Sequence, residues 1–132
     1  MQKRFQGKVA VVTGASGGIG AAMARRFADE GAAVVVSAID AKLDEVAASL
    51  KASGARVASM RMDVTSKAEV AALYELAEKE FGRVDISVQN AGVITIARIE
   101  AMTEAEWDKI MAVNTKGVFL CCQEAIARIR KH

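Results

Sequence analysis

Lys8-Val9-Ala10-Val11-Val12-Thr13-Gly14-Ala15-Ser16-Gly17-Gly18-Ile19-Gly20 runs from a short β-branched apolar segment straight into a cluster of glycines. A continuous apolar run of this length, ending at glycine, marks a strand buried on both faces. From Gly18 to Glu30 the period becomes helical, with Ile19, Met23 and Phe27 four apart and Gly31 where a C-terminal cap is expected. Glycines at such a junction turn the chain sharply, let a phosphate approach the backbone and let helix and strand pack closely. The free amides at the helix start then face the anion, with the helix dipole behind them.

The spacing here is G-x-x-x-G-x-G rather than the G-x-G-x-x-G of the general dinucleotide fingerprint. No Gly-Lys-Ser/Thr follows the glycines, so a P-loop is excluded. The plainer alternative is a tight βα turn with no ligand. The strand before, the helix after and the place in the first βα unit favour anion binding over it.

Outward from this loop the hydrophobic period keeps switching. Ala33–Ala38 reads as a second strand, followed by a helix from about Ala41 to Ser53, with Asp40 placed to cap its start and Gly54 past its end. Arg56–Met62 reads as a third strand. Ser66-Lys67-Ala68-Glu69 is a capping box opening a helix that carries Val70, Leu73, Leu76, Ala77 and Phe81 and stops at Gly82. Val84–Val88 is a fourth strand. Thr103-Glu104-Ala105-Glu106 is a second capping box, and its helix is predicted to run nearly to the end. Its apolar stripe is Trp107, Ile110, Met111, Val118, Cys121, Cys122, Ala125, Ile126 and Ile129. Asn114 falls on that stripe, so its amide is expected to be buried or half-buried and to need partners. Four successive βα units predict an α/β fold: a Rossmann-type, doubly wound parallel sheet in one domain over residues 1–132.

Composition narrows the function. With 132 residues, 52% hydrophobic and 26% charged, the chain is an ordinary globular domain. Eighteen Lys and Arg against sixteen Asp and Glu leave a charge of +2, which suggests neither a nucleic-acid nor a membrane-surface partner. No apolar run is long enough to span a bilayer, and the first residues lack the pattern of a secretory signal. Cys121 and Cys122 are adjacent and unsuited to pairing with each other, so a reduced, cytoplasmic protein is expected. With His132 the sole histidine, no metal site is expected.

Four segments in order carry a family resemblance. Thr13-Gly14-Ala15-Ser16-Gly17-Gly18-Ile19-Gly20 matches a TGxxxGIG loop, and Asp63-Val64 matches an Asp-Val ending the third strand. Gln89-Asn90-Ala91-Gly92 matches an NNAG segment with Gln for the first Asn, and Asn114 within Val113–Phe119 matches the Asn of a fifth helix. In these motifs the chain resembles the short-chain dehydrogenases/reductases, over its whole length but only about the first half of a member. The resemblance implies strand order 3-2-1-4, truncated before the later strands. It implies that Gly14, Ser16, Gly17, Gly18, Ile19 and Gly20 cradle the cofactor pyrophosphate. It further implies that Asp63 accepts a hydrogen bond from the adenine amino group and Val64 packs on the ring, the alternative for Asp63 being a cap near Ser66. Asn90, Ala91 and Gly92 would lie beside the adenosine ribose and fix the fourth strand. Asn114 would be catalytic, holding a water in a proton relay; its alternative is a satisfied core Asn.

In the family the cofactor is chosen at the end of the second strand, here Ala38 and Ile39, which carry no charge. Asp40 either reaches the ribose diol or caps the next helix. With no Arg at Ala15, Ala38 or Ile39, NAD is favoured, and NADP stays open. The family's Ser and Tyr-x-x-x-Lys pair is missing: the single tyrosine, Tyr74, has Glu78 four residues on. The resemblance therefore implies an oxidoreductase passing a hydride between NAD(P) and a secondary alcohol or ketone, with this chain binding cofactor without turnover. Gly92-Val93-Ile94 and Glu100–Trp107 resemble members acting on polyols, sugars or small diols, and the full-length form is expected to be a homo-oligomer. The chain stops where the family enters its fifth strand. Val84–Val88 is thus expected to be an apolar edge, with Ile126 and Ile129 exposed and self-association following. The alternatives are a non-catalytic nucleotide-binding module, or subunit needing a partner chain, and another α/β nucleotide or methyl-donor binder.

Overall fold

The computed structural model describes residues 2–132. Four strands, β1 (Val9–Val12), β2 (Ala33–Ala38), β3 (Val57–Arg61) and β4 (Ile86–Val88), form one parallel sheet in the order β3-β2-β1-β4. Val9 pairs with Ala33, Val34 with Val57, and Ala10 with Ile86. The helices are α1 (Gly18–Asp29), α2 (Lys42–Ala52), α3 (Lys67–Phe81), α4 (Glu104–Met111) and α5 (Gly117–Ile129). The expected doubly wound topology and strand order are what the chain adopts.

Both faces of the sheet are covered, which explains why β1 and β2 are buried at every position and apolar at all but Ser37, rather than alternating. Val9, Val11, Ala33 and Val35 point to one side, where Val70, Leu73, Tyr74 and Ala77 of α3 and Leu120, Cys121 and Ala125 of α5 cover them. Ala10, Val12, Val34 and Val36 point to the other, under Ala24 of α1 and Leu43, Ala47 and Leu50 of α2. Helix ends follow their sequence signals. Past α1, Gly31 takes φ +100°, its amide donating to the Ala28 carbonyl at 3.0 Å and that of Ala32 to Phe27 at 3.0 Å. Thr103 and Glu106 complete a full capping box at α4. At α3 half the expected box forms: the Ser66 hydroxyl accepts from the Glu69 amide at 3.3 Å, but the Glu69 carboxylate turns to the Asp63 amide at 3.4 Å.

Three expectations are corrected. The buried side of α1 is Gly20 and Ala24, one position on from the Ile19-Met23-Phe27 stripe, and Ile19 is 73% exposed. Small residues there let the helix lie close on the sheet. The last helix is not uniform: Ala112–Lys116 forms a wider π-type turn between α4 and α5. That turn swings Asn114 out, so it is exposed rather than buried, and Trp107 and Met111 of the expected stripe are also exposed; Ile126 is exposed as expected, whereas Ile129 is half-buried against the core. β4 pairs with β1 alone among the described residues and forms one edge of the sheet. No helix among them is long and apolar enough to cross a membrane.

Candidate functional site

The C-terminal ends of β1, β2, β3 and β4 open onto a cleft of about 530 Å³. An open parallel sheet places ligands at this end, where the strand order reverses; here that is between β1 and β4. Gly14, Ser16, Asp40, Asp63, Val64, Asn90, Ala91 and Gly92 line the cleft together. Gly17, Gly18 and Ile19 are exposed at the start of α1, outside that lining, and Gly20 is buried.

The glycine loop is locked to the end of β4. Thr13 is buried, and its hydroxyl oxygen accepts from the amides of Asn90 and Ala91, each at 3.1 Å. The Asn90 side-chain amide donates to the Gly14 carbonyl at 3.1 Å. Gly14 has φ +65°, and a Cβ on it would stand 2.8 Å from the Ala91 Cα. A Cβ on Gly20 would stand 2.3 Å from the Gly14 carbonyl oxygen and 2.5 Å from the Asn90 amide nitrogen. The loop therefore needs glycine at both positions to bring helix start and strand end this close. Beyond Gly17 the helix start has no side-chain cap and no acidic residue in its first turn. Its leading amides have no intrahelical acceptors, and around Gly17 and Gly18 a Cβ would meet nothing within 4 Å. The residues fit a dinucleotide: bare amides with a dipole for a pyrophosphate, and a cleft beside them for the adenosine.

At the adenosine end, Asp63 Oδ1 accepts from the Thr65 amide at 2.9 Å and the Thr65 hydroxyl at 2.7 Å. The cap of α3 is Ser66, so Asp63 is not its cap and keeps its second carboxylate oxygen for another donor. Val64 is buried, with Gly117 of α5 tight against it. Asp40 Oδ1 accepts from the Lys42 amide at 3.0 Å, while Oδ2 accepts from the Ser16 hydroxyl at 2.9 Å. Asn114 makes a two-point clamp, its Oδ1 accepting from the Val93 amide at 2.8 Å and its Nδ2 donating to the Val93 carbonyl at 2.7 Å.

Sequence reasoning did not single out Thr13, Ser37, Lys109 or Val113, which the fold brings to the site. The threonine opens the glycine loop. The others carry no signal beyond their strand or helix, because only the topology brings them to the cleft. Tyr74 lies elsewhere: it is fully buried under α5, its hydroxyl 2.6 Å from that of Ser87, and burial raises its pKa well above the usual phenol range. No group of three or more His, Cys, Asp or Glu suited to a metal occurs among the described residues.

A family model described as short chain dehydrogenase matches residues 8–132. An uncharacterized oxidoreductase of Methylorubrum extorquens is 44% identical over 124 residues, covering 92% of this chain and 50% of its own length. The cis-4-hydroxycyclohexanecarboxylate dehydrogenase of Sinomonas cyclohexanicum is 42% identical over 127 residues, 96% of this chain and 51% of its own. Among solved structures, a short chain dehydrogenase/reductase of Burkholderia phymatum in complex with NAD superposes with a TM-score of 0.93 at 34% identity, over 98% of this chain and 46% of that one. The chain spans about half the length of the curated relatives it matches.

Proposed function

This chain belongs to the short-chain dehydrogenase family, and we propose that it is the dinucleotide-binding part of an NAD(P)-dependent oxidoreductase acting on a secondary alcohol or ketone. One observation carries the reading: the uncapped start of α1, held by Asn90 and Thr13 against the end of β4, opens beside a cleft lined by Asp40 and Asp63. The nicotinamide ring, when bound, supplies the hydride acceptor or donor.

The chain's own residues bind and orient. Gly14, Ser16, Gly17, Gly18, Ile19 and Gly20 cradle the pyrophosphate, with the uncapped amides over Gly17–Gly20 facing it. Asp63 accepts from the adenine amino group through its free oxygen, and Val64 gives the ring an apolar wall. Asn90, Ala91 and Gly92 keep the end of β4 beside the ribose. Asn114, through its grip on Val93, orders the segment leading away from β4 toward the reacting end. In the proton relay that the family resemblance implies, Asn114 would hold a water, its side chain fixed by this clamp. We read NAD as the favoured cofactor, no cation standing at Ala15, Ala38 or Ile39.

The same 132 residues bind without turning substrate over. Tyr74 is sealed beneath α5 with its hydroxyl bound to Ser87, and Glu78 stands where a lysine would have to be. A general acid and base must reach the reacting proton, and this hydroxyl reaches only the core.

Thermal unfolding with NADH and with NADPH tests the reading. A ligand that binds the folded form alone raises the melting temperature with its concentration. The expected result is such a rise for at least one dinucleotide, with no alcohol-dependent NADH formation. A folded sample whose melting neither cofactor shifts overturns the proposal, and turnover by this chain overturns its second half.

A further inference from the structure

We infer that the open edge of β3, with the face of α3 beside it, is an interface between two copies of this chain, which pair antiparallel about a twofold axis at Ser59. Among the described residues β3 pairs with β2 alone and ends the sheet on the side away from β4. The Arg56 carbonyl accepts from the Val34 amide at 2.9 Å, and the Met62 amide donates to the Ala38 carbonyl at 3.0 Å, so the even-numbered residues bond to β2. The amides and carbonyls of Val57, Ser59 and Arg61 therefore point outward. Sheet edges are commonly blunted by a charge, a proline or a bulge. This one is not: Val57-Ala58-Ser59-Met60 is uncharged, and the register with β2 runs unbroken from Val57 to Arg61. The opposite edge, β4, is only three residues long and offers less backbone to pair.

Beside this edge runs a groove of about 480 Å³ between β3 and α3, lined by Ser59, Met60, Ala72, Glu75, Leu76 and Lys79. The α3 residues among these are three and four apart, so they form one stripe along the helix. Met60, Ala72 and Leu76 are half-buried, while Glu75 and Lys79 are exposed. Glu78 is paired with Arg128 and Lys131, yet neither Glu75 nor Lys79 meets an opposite charge among the described residues. The pattern is self-complementary. A twofold at Ser59, perpendicular to the sheet, sets Ser59 opposite its own copy and Val57 opposite Arg61, each pair exchanging both N–H···O bonds. It lays the two α3 helices antiparallel on one face, closes the two grooves over a shared apolar strip, and puts Glu75 of each copy beside Lys79 of the other. The flanking arginines stay apart. Arg56 stacks over Phe81 at 5.8 Å on the α3 face, whereas Arg61, on the α2 face with Val57, donates to the Ile39 carbonyl at 3.4 Å. No groove residue lines the cleft, so the inference stands apart from dinucleotide binding.

Sedimentation equilibrium of the 132-residue chain at low and high salt tests it. A reversible monomer–dimer equilibrium is expected, weakened by salt. Because the twofold repeats each contact, Glu75→Lys or Lys79→Glu turns both attractive pairs repulsive and is expected to weaken the dimer about tenfold. The double variant exchanges the two charges and should return to within a few fold of wild type. Both positions are exposed, and the circular dichroism of every variant should match the wild type. Ser59→Cys sets two thiols opposite each other across the axis, at a spacing a disulfide spans, so mild oxidation should link the copies well above the background from Cys121 and Cys122. A chain that is monomeric at every concentration overturns the inference and leaves the edge to a different strand. A dimer indifferent to the charge reversals places the contact at the β4 edge or along α5, and overturns it as well. Failure of the double variant to rescue the single ones, or oxidation of Ser59→Cys that links no better than wild type, overturns it equally.

Discussion

The Asn90 side-chain amide donates to the Gly14 carbonyl at 3.1 Å, joining the end of β4 to the glycine loop across 76 residues of sequence. This one bond makes the cradle a tertiary structure rather than a local turn. Asn90→Ala leaves a part-buried carbonyl without its partner, a loss of about 1–3 kcal/mol. Urea unfolding should show that loss, and dinucleotide affinity should fall with it because the loop is no longer held. Gly20→Ala is expected to be worse for binding, since its methyl would collide with the same two groups at 2.3 and 2.5 Å. A Gly20→Ala protein with wild-type affinity would show that the loop does not need this contact.

Asn114 supports a different prediction because its clamp on Val93 is exposed to water. Removing an exposed hydrogen bond costs little stability, about 1 kcal/mol or less. Asn114→Ala should therefore melt close to wild type. Amide exchange at Val93 should nonetheless quicken, since that amide loses its only acceptor given by the structure. A large loss of stability with unchanged exchange at Val93 would assign Asn114 to the core instead.

These two residues also show how far the sequence is legible. Strands β1 and β2 declared themselves because burial on both faces favours runs of small and β-branched apolar residues, and the caps at Gly31, Ser66 and Thr103 fixed helix ends locally. The glycine loop was legible because few residue types satisfy its geometry. Asn114 was not, because helical periodicity assumes a regular turn, and the wider turn over Ala112–Lys116 rotates everything it contains. The packing face of α1 was illegible for a related reason: it is made of Gly20 and Ala24, and small residues give periodicity little to see. The Ser16–Asp40 bond was illegible too, since it depends on two loops meeting in space.

Acid should loosen the start of the chain. The Arg4 guanidinium bonded to Glu30 holds that carboxyl well down, from the ordinary 4.5 to about 2. A depressed carboxylate stabilises the fold above its unfolded pKa and loses that contribution as pH falls through the folded value. The loss is thus confined to the interval between pH 4.5 and about 2. Denaturant midpoints measured across it should fall more steeply for the wild type than for Glu30→Gln. Equal slopes would mean that the Arg4–Glu30 pair adds nothing to folding.

The adjacent cysteines should behave differently. Burial pushes the Cys121 thiol up to about 11, while Cys122 is only half-buried. The thiolate is the reactive form, and Cys121 has neither the charge state nor the access to react near pH 8. Iodoacetamide on the folded chain should add at most one label, at Cys122, with the second appearing only after denaturation. Rapid double labelling of folded protein would place Cys121 at the surface.

Gly117 offers the sharpest test of the packing behind the adenine wall. In an ordinary helix, replacing glycine by alanine stabilises by about 1 kcal/mol. Here the added methyl would lie 2.7 Å from Val64 Cγ2 and 3.2 Å from its Cβ, too near for either side to yield easily. Overpacking of this kind costs about 1–3 kcal/mol, so Gly117→Ala should lower stability despite its better propensity. Val64→Ala in the same chain removes the obstructing methyls and should recover part of the loss. The double variant would still bind dinucleotide more weakly, because the apolar wall proposed for adenine has gone. If Gly117→Ala instead raises the melting temperature, α5 can shift away from β3, and Val64 does not fix the width of the cleft.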